Sequence, residues 1–510
     1  MLAKVNSYGL NGIQGYPVQV EVDISNGLPA FETVGLPDAA VKESKERVRS
    51  AIRNTGLDFP LRRITVNLAP ADLRKEGPIY DLPIAVGLLT ASGQLPGEAV
   101  SGMLCLGELA LDGALRPVNG VLPMLIAARR DGFSRIVIPE ENTPEATFVP
   151  GMEVLPARTL GQIVAHLRAS EPIAKAPQRA WEDVREKDPG VGELARIRGQ
   201  AHAKRAAEIA AAGGHNLLLI GPPGSGKTML ARCMPSILPD ITFEEALEVT
   251  KIHSVAGVLP RSGGIVTKRP FRSPHHTIST AALTGGGRNI TPGEISLAHL
   301  GVLFLDELPE FKRDALEAMR QPLEDGIVTV ARVSGSASFP ARFMLVAAMN
   351  PCPCGHMGSQ ARECRCTPMQ VQRYRNRISG PLLDRIDMHV EMRAVTYDEI
   401  ASRPDGERSE VVQCRVNAAR ALQLARYRDE GVFFNAQLDA RLVDRYCAAD
   451  EQGRGLLEQA FHRLKLSARA YTRILKVART IADLEQCPGI GSGHIAEAIQ
   501  YRSLDRDAKP

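Results

Sequence analysis

Hydrophobic residues change their spacing twice along the chain, and each change marks a different kind of structure. In the first third, apolar and polar positions alternate in Val18-Gln19-Val20-Glu21-Val22 and Ile64-Thr65-Val66-Asn67-Leu68, and Ile136-Val137-Ile138-Pro139 is a short apolar run. Successive strand side chains point to opposite faces, so these stretches predict strands, while the helical period over Ala40 to Asn54 and Leu82 to Ala91 predicts helices. Together they predict an α+β domain over residues 1–168. Residues 169–188 lose any period, gain prolines and charges and read as a linker, whose Trp181 is expected to dock on a neighbouring domain. Beyond about Gly190 come the continuously apolar runs Leu217 to Ile220, Gly301 to Leu305 and Arg342 to Met349. A strand covered by helices on both faces is apolar at every position, so these runs predict a parallel α/β core over residues 189–394. The last pattern is helical: Leu466, Ala470, Ile474, Val477, Ala478 and Ile481 recur through Leu466 to Leu484. Gly489-Ile490-Gly491 then breaks the period before a final helix, His494 to Tyr501, within a helical domain over residues 395–510.

Candidate chemistry gathers where the apolar strands end. Leu217 to Ile220 runs into Gly221-Pro222-Pro223-Gly224-Ser225-Gly226-Lys227-Thr228 and then a helical stretch from Met229. Glycines at this spacing let successive main-chain N–H groups point at one spot, and a helix N-terminus adds partial positive charge. Lys227 is then placed to reach the outer phosphates of a nucleoside triphosphate, and the Thr228 hydroxyl to ligate Mg²⁺. Gly301 to Leu305 ends in Asp306-Glu307. At the carboxyl end of a parallel sheet, beside that loop, Asp306 can hold Mg²⁺ through its water shell while Glu307 orients and deprotonates the attacking water. The third apolar strand ends at Asn350, a polar tip able to bond the γ-phosphate or that water. Arg385 sits in a short polar break before the strand Met388 to Met392. It is expected to stabilise phosphoryl charge in a neighbouring subunit, with a salt bridge to Asp384 or Asp387 as the alternative.

Charge and cysteine usage refine this picture. The 62 basic and 58 acidic residues leave a net charge of only +4, so affinity for a polyanion has to be sought locally. From Arg261 to Gly293 there is no acid, while Arg261, Lys268, Arg269, Arg272 and Arg288 are basic and His275 and His276 can add charge. A second acid-free run, Gly326 to Arg362, contains Val328 to Phe339, which reads as a β-hairpin turning at Ser334-Gly335-Ser336. Repeated around a ring, such stretches would attract a phosphate backbone; the plainer reading is a solvated basic face. No run approaches the ~20 apolar residues of a membrane span, and the first residues lack the apolar core of a signal peptide, so no membrane association and a cytoplasmic location are expected. Nine cysteines in a chain this long do not resemble a secreted disulfide framework. Cys352, Cys354, Cys364 and Cys366 suit a structural Zn²⁺, with His356 as a competing ligand and four reduced thiols as the alternative. Cys105, Cys233, Cys414, Cys447 and Cys487 read as plain thiols.

Two resemblances extend these expectations. Asn67-Leu68-Ala69-Pro70, Lys75-Glu76-Gly77-Pro78, Gly107-Glu108-Leu109 and Ala127-Ala128-Arg129 resemble the proteolytic domain of Lon-type proteases, but Ile79 stands where that family has its serine and Met124 where it has its lysine. A covalent mechanism needs a nucleophile and a proton acceptor, so a Lon-like fold without peptidase activity is expected. Essentially end to end, Lon-like front included, the chain resembles the magnesium-chelatase-like AAA+ ATPases, and within them the ComM (YifB-type) proteins. The likeness is carried by His215-Asn216, Arg269 to His276, Pro292 to His299, Arg320 to Gly326 and Asn350 to Gly355, with Ser467-Ala468-Arg469 similar to the sensor 2 motif. It implies an AAA+ P-loop core with a helical lid, ATP and Mg²⁺ as cofactors, a homo-hexameric ring hydrolysing ATP between subunits, sensor roles for Asn350 and Arg469 (Arg473 as fallback), and Arg385 as finger. It further implies a motor on single-stranded and branched DNA that drives branch migration during natural transformation, alongside recombination proteins. The alternatives are a chelatase-type subunit remodelling a protein partner, or a protein unfoldase.

Overall fold

The computed structural model describes residues 1–185, 192–260, 263–287, 290–332, 335–358, 362–401 and 406–502. Its chain divides into two compact units, Met1–Arg185 with Phe243–Thr267, and Glu186–Thr242 with Lys268–Pro510. The first is built on a seven-stranded mixed sheet with strands in the order 30–34, 63–69, 14–25, 2–11, 103–105, 135–139 and 153–157. Alternation decides its faces: Val18, Val20, Val22 and Ile24 point into the core from one strand, and Ile64, Val66 and Leu68 from its neighbour. Helices Ala39–Asn54 and Asp81–Ala91 match their expected ranges within a residue. The latter is buried along nearly its whole length, which is why its residues are almost all apolar. Ile79 and Met124 are core side chains.

Two segments join this unit against expectation. Residues 169–185, expected as linker, belong to it, and Trp181 packs on Phe243 of the same unit with ring centroids 5.9 Å apart. Residues 243–267, expected inside the α/β core, also belong to it. Helix Phe243–Val255 packs along helix Val121–Arg130. The Ser254 hydroxyl donates to Glu145 Oε2 at 2.5 Å, and the Ser254 carbonyl accepts from the Gly120 N–H at 3.1 Å. Glu145 in turn accepts from Asn142 Nδ2 and the Leu122 N–H. Burial pushes the Glu145 carboxyl above its usual range despite these three bonds. Ile252 is wholly buried in this packing, so Ile252→Asp is expected to cost more than about 4 kcal/mol by burying an unpaired charge. The measurement is an early transition of the full chain in thermal-shift and limited-proteolysis experiments.

The second unit holds a five-stranded, all-parallel sheet in the order 271–272, 302–305, 344–349, 217–220, 388–391. Its strands are buried at nearly every position, as their unbroken apolar sequence requires. An antiparallel hairpin, Ile327–Arg332 with Gly335–Pro340, pairs Arg332 with Gly335. Gly335 and Ser336 are therefore strand residues rather than part of the expected turn, and Ser334 lies outside the described residues. Val328, Val330, Ala337 and Phe339 form its buried face. Helices Ser409–Arg426, Ala440–Tyr446, Glu451–Leu464, Ala468–Leu484 and Ser492–Gln500 complete the unit. Ser467 caps the fourth of these by accepting from the Ala470 N–H, which places Arg469 in its first turn. Among the described residues no helix is long and apolar enough to cross a membrane.

Candidate functional site

Strand Leu217–Ile220 lies between strands Met344–Met349 and Met388–Glu391, so the loop that leaves its carboxyl end is flanked by the tips of its neighbours. Gly224 and Gly226 have φ of 78° and 90°, a left-handed backbone that an L side chain resists, and helix Lys227–Cys233 starts directly after them. Lys227 folds back over the loop: Nζ donates to the carbonyls of Gly221 (2.7 Å) and Pro222 (3.0 Å) and to Asn350 Oδ1 (3.3 Å). Burial lowers its pKa, while the nearby Asp306 and Glu307 work the other way. Gln200, held at φ 56°, braces the loop by donating to the carbonyls of Ser225 and Arg393.

Thr228 Oγ1 donates to Asp306 Oδ2 at 2.7 Å. Both are hard oxygen donors of the kind Mg²⁺ takes, so Thr228 would ligate the cation directly and Asp306 would hold it through its water shell. Glu307 occupies the left-handed region at φ 52°, its N–H donating to Asp306 Oδ1, and more than half of its side chain is exposed. Such backbone costs a non-glycine residue on the order of 1 kcal/mol and aims the carboxylate away from the sheet. His276 Nδ1 lies 3.5 Å from Glu307 Oε2, so this histidine of the basic stretch faces the acid. His275 packs against it with centroids 4.1 Å apart and the rings tilted by 34°.

The arginines are at the other end of the sheet. A cavity of about 770 Å³ opens at the amino ends of the strands, beside Asn216, Gly301, Met344 and Asp387, and Arg385, Arg469 and Arg473 line it. The strands are parallel, so Arg469 is separated from its own chain's Lys227 and Thr228 by the depth of the sheet. Arg385 pairs with Glu324, rather than with Asp384 or Asp387, and donates to the Pro381 carbonyl at 2.8 Å. Arg469 is exposed and lies 3.8 Å from Asp384. Arg473 is mostly buried, its Nε 3.2 Å from Asp387 Oδ1. Burial lowers the Arg473 pKa, opposed by the Asp387 charge. Burial would raise the Asp387 carboxyl, but its contacts with His215, Arg473 and the Asn216 N–H hold it far below the usual carboxylate range.

Asn216 holds the Arg385 segment in place, a contact that residue-by-residue reasoning missed. Its Nδ2 donates to the Arg385 carbonyl (2.9 Å), its Oδ1 accepts from the Leu345 N–H (2.8 Å), and its main-chain N–H donates to Asp387 Oδ2 (2.9 Å). One side chain thus registers the arginine loop against two strands. Its sequence signals were its place in the His215-Asn216 pair of the family likeness and at the head of the cradle strand, directly before Leu217.

The basic stretch needs correction. Arg269 is buried and donates to the carbonyls of Pro239 (2.7 Å), Leu300 (2.8 Å) and Asp240 (3.2 Å). Arg272 forms a bidentate pair with Glu294, at 2.7 and 2.6 Å. Both guanidiniums are spent inside the fold, because the first acid after the acid-free run is folded back onto it; Arg261 and Arg288 lie outside the described residues. Arg269→Ala would leave buried carbonyls without donors, at about 3 kcal/mol. It is expected to lower the melting temperature in a thermal-shift measurement.

Four sulfurs converge beside the cradle. Cys352 Sγ lies 3.4 Å from Cys354 Sγ and 3.6 Å from Cys364 Sγ, Cys354 and Cys364 are 3.6 Å apart, and Cys366 joins them within 4.8 Å.

Comparison with known proteins fits this arrangement. Family models described as "Magnesium chelatase, subunit ChlI" and "Magnesium chelatase, subunit ChlI C-terminal" match residues 193–400 and 406–502, and one described as "Subunit ChlI of Mg-chelatase" matches 20–142. Competence protein ComM of Haemophilus influenzae is 45% identical, over 99% of this chain and 98% of its own length. This chain belongs to the magnesium-chelatase-like AAA+ ATPases. Protein YifB of Escherichia coli is likewise 45% identical over 99% of this chain and 98% of its own. Lon protease of Rhizobium meliloti is 30% identical over 27% of this chain and 18% of its own length, in keeping with a Lon-like N-terminal region. Membership of this ATPase family implies ATP and Mg²⁺ as cofactors.

Proposed function

We propose that this chain is a DNA motor: a homo-hexameric ATPase that translocates on single-stranded and branched DNA and drives branch migration as incoming strands are recombined during natural transformation. The observation that carries the assembly is the separation of the cradle from Arg385 and Arg469 by the full depth of one parallel sheet. A hydrolytic site using both is complete only where one copy's strand amino ends meet another copy's phosphate loop. In that site Thr228 and Asp306 hold Mg²⁺, which neutralises phosphate charge, and Lys227 and the loop N–H groups hold the outer phosphates. Glu307 takes the proton of the attacking water, Asn350 positions that water or the γ-phosphate, and the neighbour's Arg385 and Arg469 stabilise the transferring phosphoryl group. His276, close to Glu307, is placed to hold its carboxylate aside until DNA or nucleotide arrives.

The DNA substrate is supported by the near full-length similarity to a protein named for competence. The chelatase-type alternative, a subunit that remodels a protein partner, is favoured by the names of the matching family models. The N-terminal unit is read as non-proteolytic, with Ile79 and Met124 in its core, the protein as cytoplasmic, and the four-cysteine cluster as a structural Zn²⁺ site. ATP turnover of the assembled protein with and without single-stranded DNA, beside branch migration of a synthetic four-way junction, tests the motor. DNA stimulation with junction movement is expected; turnover indifferent to DNA would overturn it in favour of the chelatase reading.

A further inference from the structure

The four-cysteine cluster grows out of the strand that carries Asn350 and touches the phosphate cradle on the way. Strand Met344–Met349 delivers Asn350, whose Oδ1 contacts Lys227, and Cys352 follows two residues later, fully buried. Its carbonyl accepts from the Gly355 N–H at 3.0 Å, and its sulfur accepts from the Met357 N–H at 3.4 Å. Gly355, at φ +80°, is pressed on the cradle: a Cβ there would lie 2.8 Å from Cδ and 3.0 Å from Cγ of Pro223. Cys364 and Cys366 come from the far side of the loop, just before helix Pro368–Arg375, which is capped by Thr367. On that helix the buried Tyr374 hydroxyl is hydrogen-bonded to the Asn350 main chain. Asn350 is therefore gripped from two directions, and the sulfur cluster is where the two directions meet.

The sulfur spacing points to a cation. Sulfurs in a disulfide are about 2.05 Å apart. Four thiolates around tetrahedral Zn²⁺ at about 2.3 Å are separated by about 3.8 Å. The observed 3.4 to 3.6 Å lies close to the second value and far from the first. A cation bound by all four sulfurs would fix Cys352 and Cys354 to Cys364 and Cys366 and so close the loop between them.

We infer that a Zn²⁺ held by Cys352, Cys354, Cys364 and Cys366 is a positioning element of the ATP site, making nucleotide binding and hydrolysis dependent on this metal. The inference rests on the zinc reading above and adds the route: metal to Gly355 and Pro223 on one side, metal to Tyr374 and Asn350 on the other. Mg²⁺ serves the phosphates directly, whereas Zn²⁺ keeps the loop that surrounds them in shape.

The test uses the purified full chain, its zinc content by elemental analysis and its affinity for a fluorescent ATP analogue. Wild type is expected to carry one zinc per chain. The Cys354→Ser/Cys364→Ser double variant is expected to carry none, and to lose about tenfold or more in ATP-analogue affinity and turnover with unchanged far-ultraviolet circular dichroism. Gly355→Ala keeps all four thiols: it is expected to retain zinc yet lose nucleotide affinity, because its methyl group displaces Pro223. Removing zinc from wild type with a chelator and adding back Zn²⁺, but not Mg²⁺, is expected to restore affinity. Absence of zinc from wild type, even after reconstitution, would overturn the zinc reading and this inference with it. Zinc present but nucleotide affinity unaltered in both variants would leave the metal site standing and overturn its coupling to the cradle.

Discussion

Replacing Lys227 with alanine is expected to abolish ATP turnover and any strand movement driven by it. The ammonium group is buried and donates to Gly221, Pro222 and Asn350, and burial lowers its pKa against the opposing charges of Asp306 and Glu307. Removing a donor aimed at developing charge costs about 3 kcal/mol or more, a hundredfold or more in rate, and here the same change also frees the Asn350 tip. Hydrolysis measured at saturating ATP, with nucleotide affinity measured separately, checks the result. Glu307→Gln makes the contrast: it keeps the size of the side chain and removes the proton acceptor, so affinity is expected to persist while turnover is lost. Turnover near wild type in Lys227→Ala would mean that the cradle has been misassigned.

Arg385→Ala is expected to lower turnover by about a thousandfold, the usual worth of an arginine supplied in trans to a phosphoryl group. The variant should still bind ATP, since Arg385 lies at the amino ends of the strands and the cradle at their carboxyl ends. Its location makes a sharper outcome available. Arg385→Ala subunits retain Glu307, and Glu307→Gln subunits retain Arg385, so mixing two inactive proteins should create some boundaries with both groups intact and restore part of the activity. If mixing restores nothing, Arg385 acts within its own chain or not at all. Asn216→Ala is expected to follow Arg385→Ala in direction with a smaller effect, because it loses the bond that holds the arginine's main chain rather than the guanidinium itself.

Much of the molecule could be read from the order of its residues, and for local reasons. Side-chain alternation and unbroken apolar runs reflect how many faces of a strand are covered, so the strands named from these patterns fell where expected, while strands 2–11, 30–34, 103–105, 153–157 and 271–272 were not named. The cradle was legible because the turn glycines Gly224 and Gly226 and the side chains of Lys227 and Thr228 all belong to one short stretch of chain. The acidic tip was legible because strand order in a parallel α/β sheet brings carboxyl ends together, as the 2.7 Å contact of Thr228 with Asp306 bears out.

Long-range facts were not written in any local pattern. That residues 243–267 pack with the first unit depends on the fit of helix Phe243–Val255 against helix Val121–Arg130 and of Ser254 against Glu145, partners more than a hundred positions away. Charge was read wrongly for the same cause: Arg269 and Arg272 look free in an acid-free stretch, yet folding brings carbonyls to one and Glu294 to the other. The identity of the reactive groups follows from spacing over a few residues, whereas their partners depend on which surfaces meet, and that is set by burial and packing summed over the whole chain.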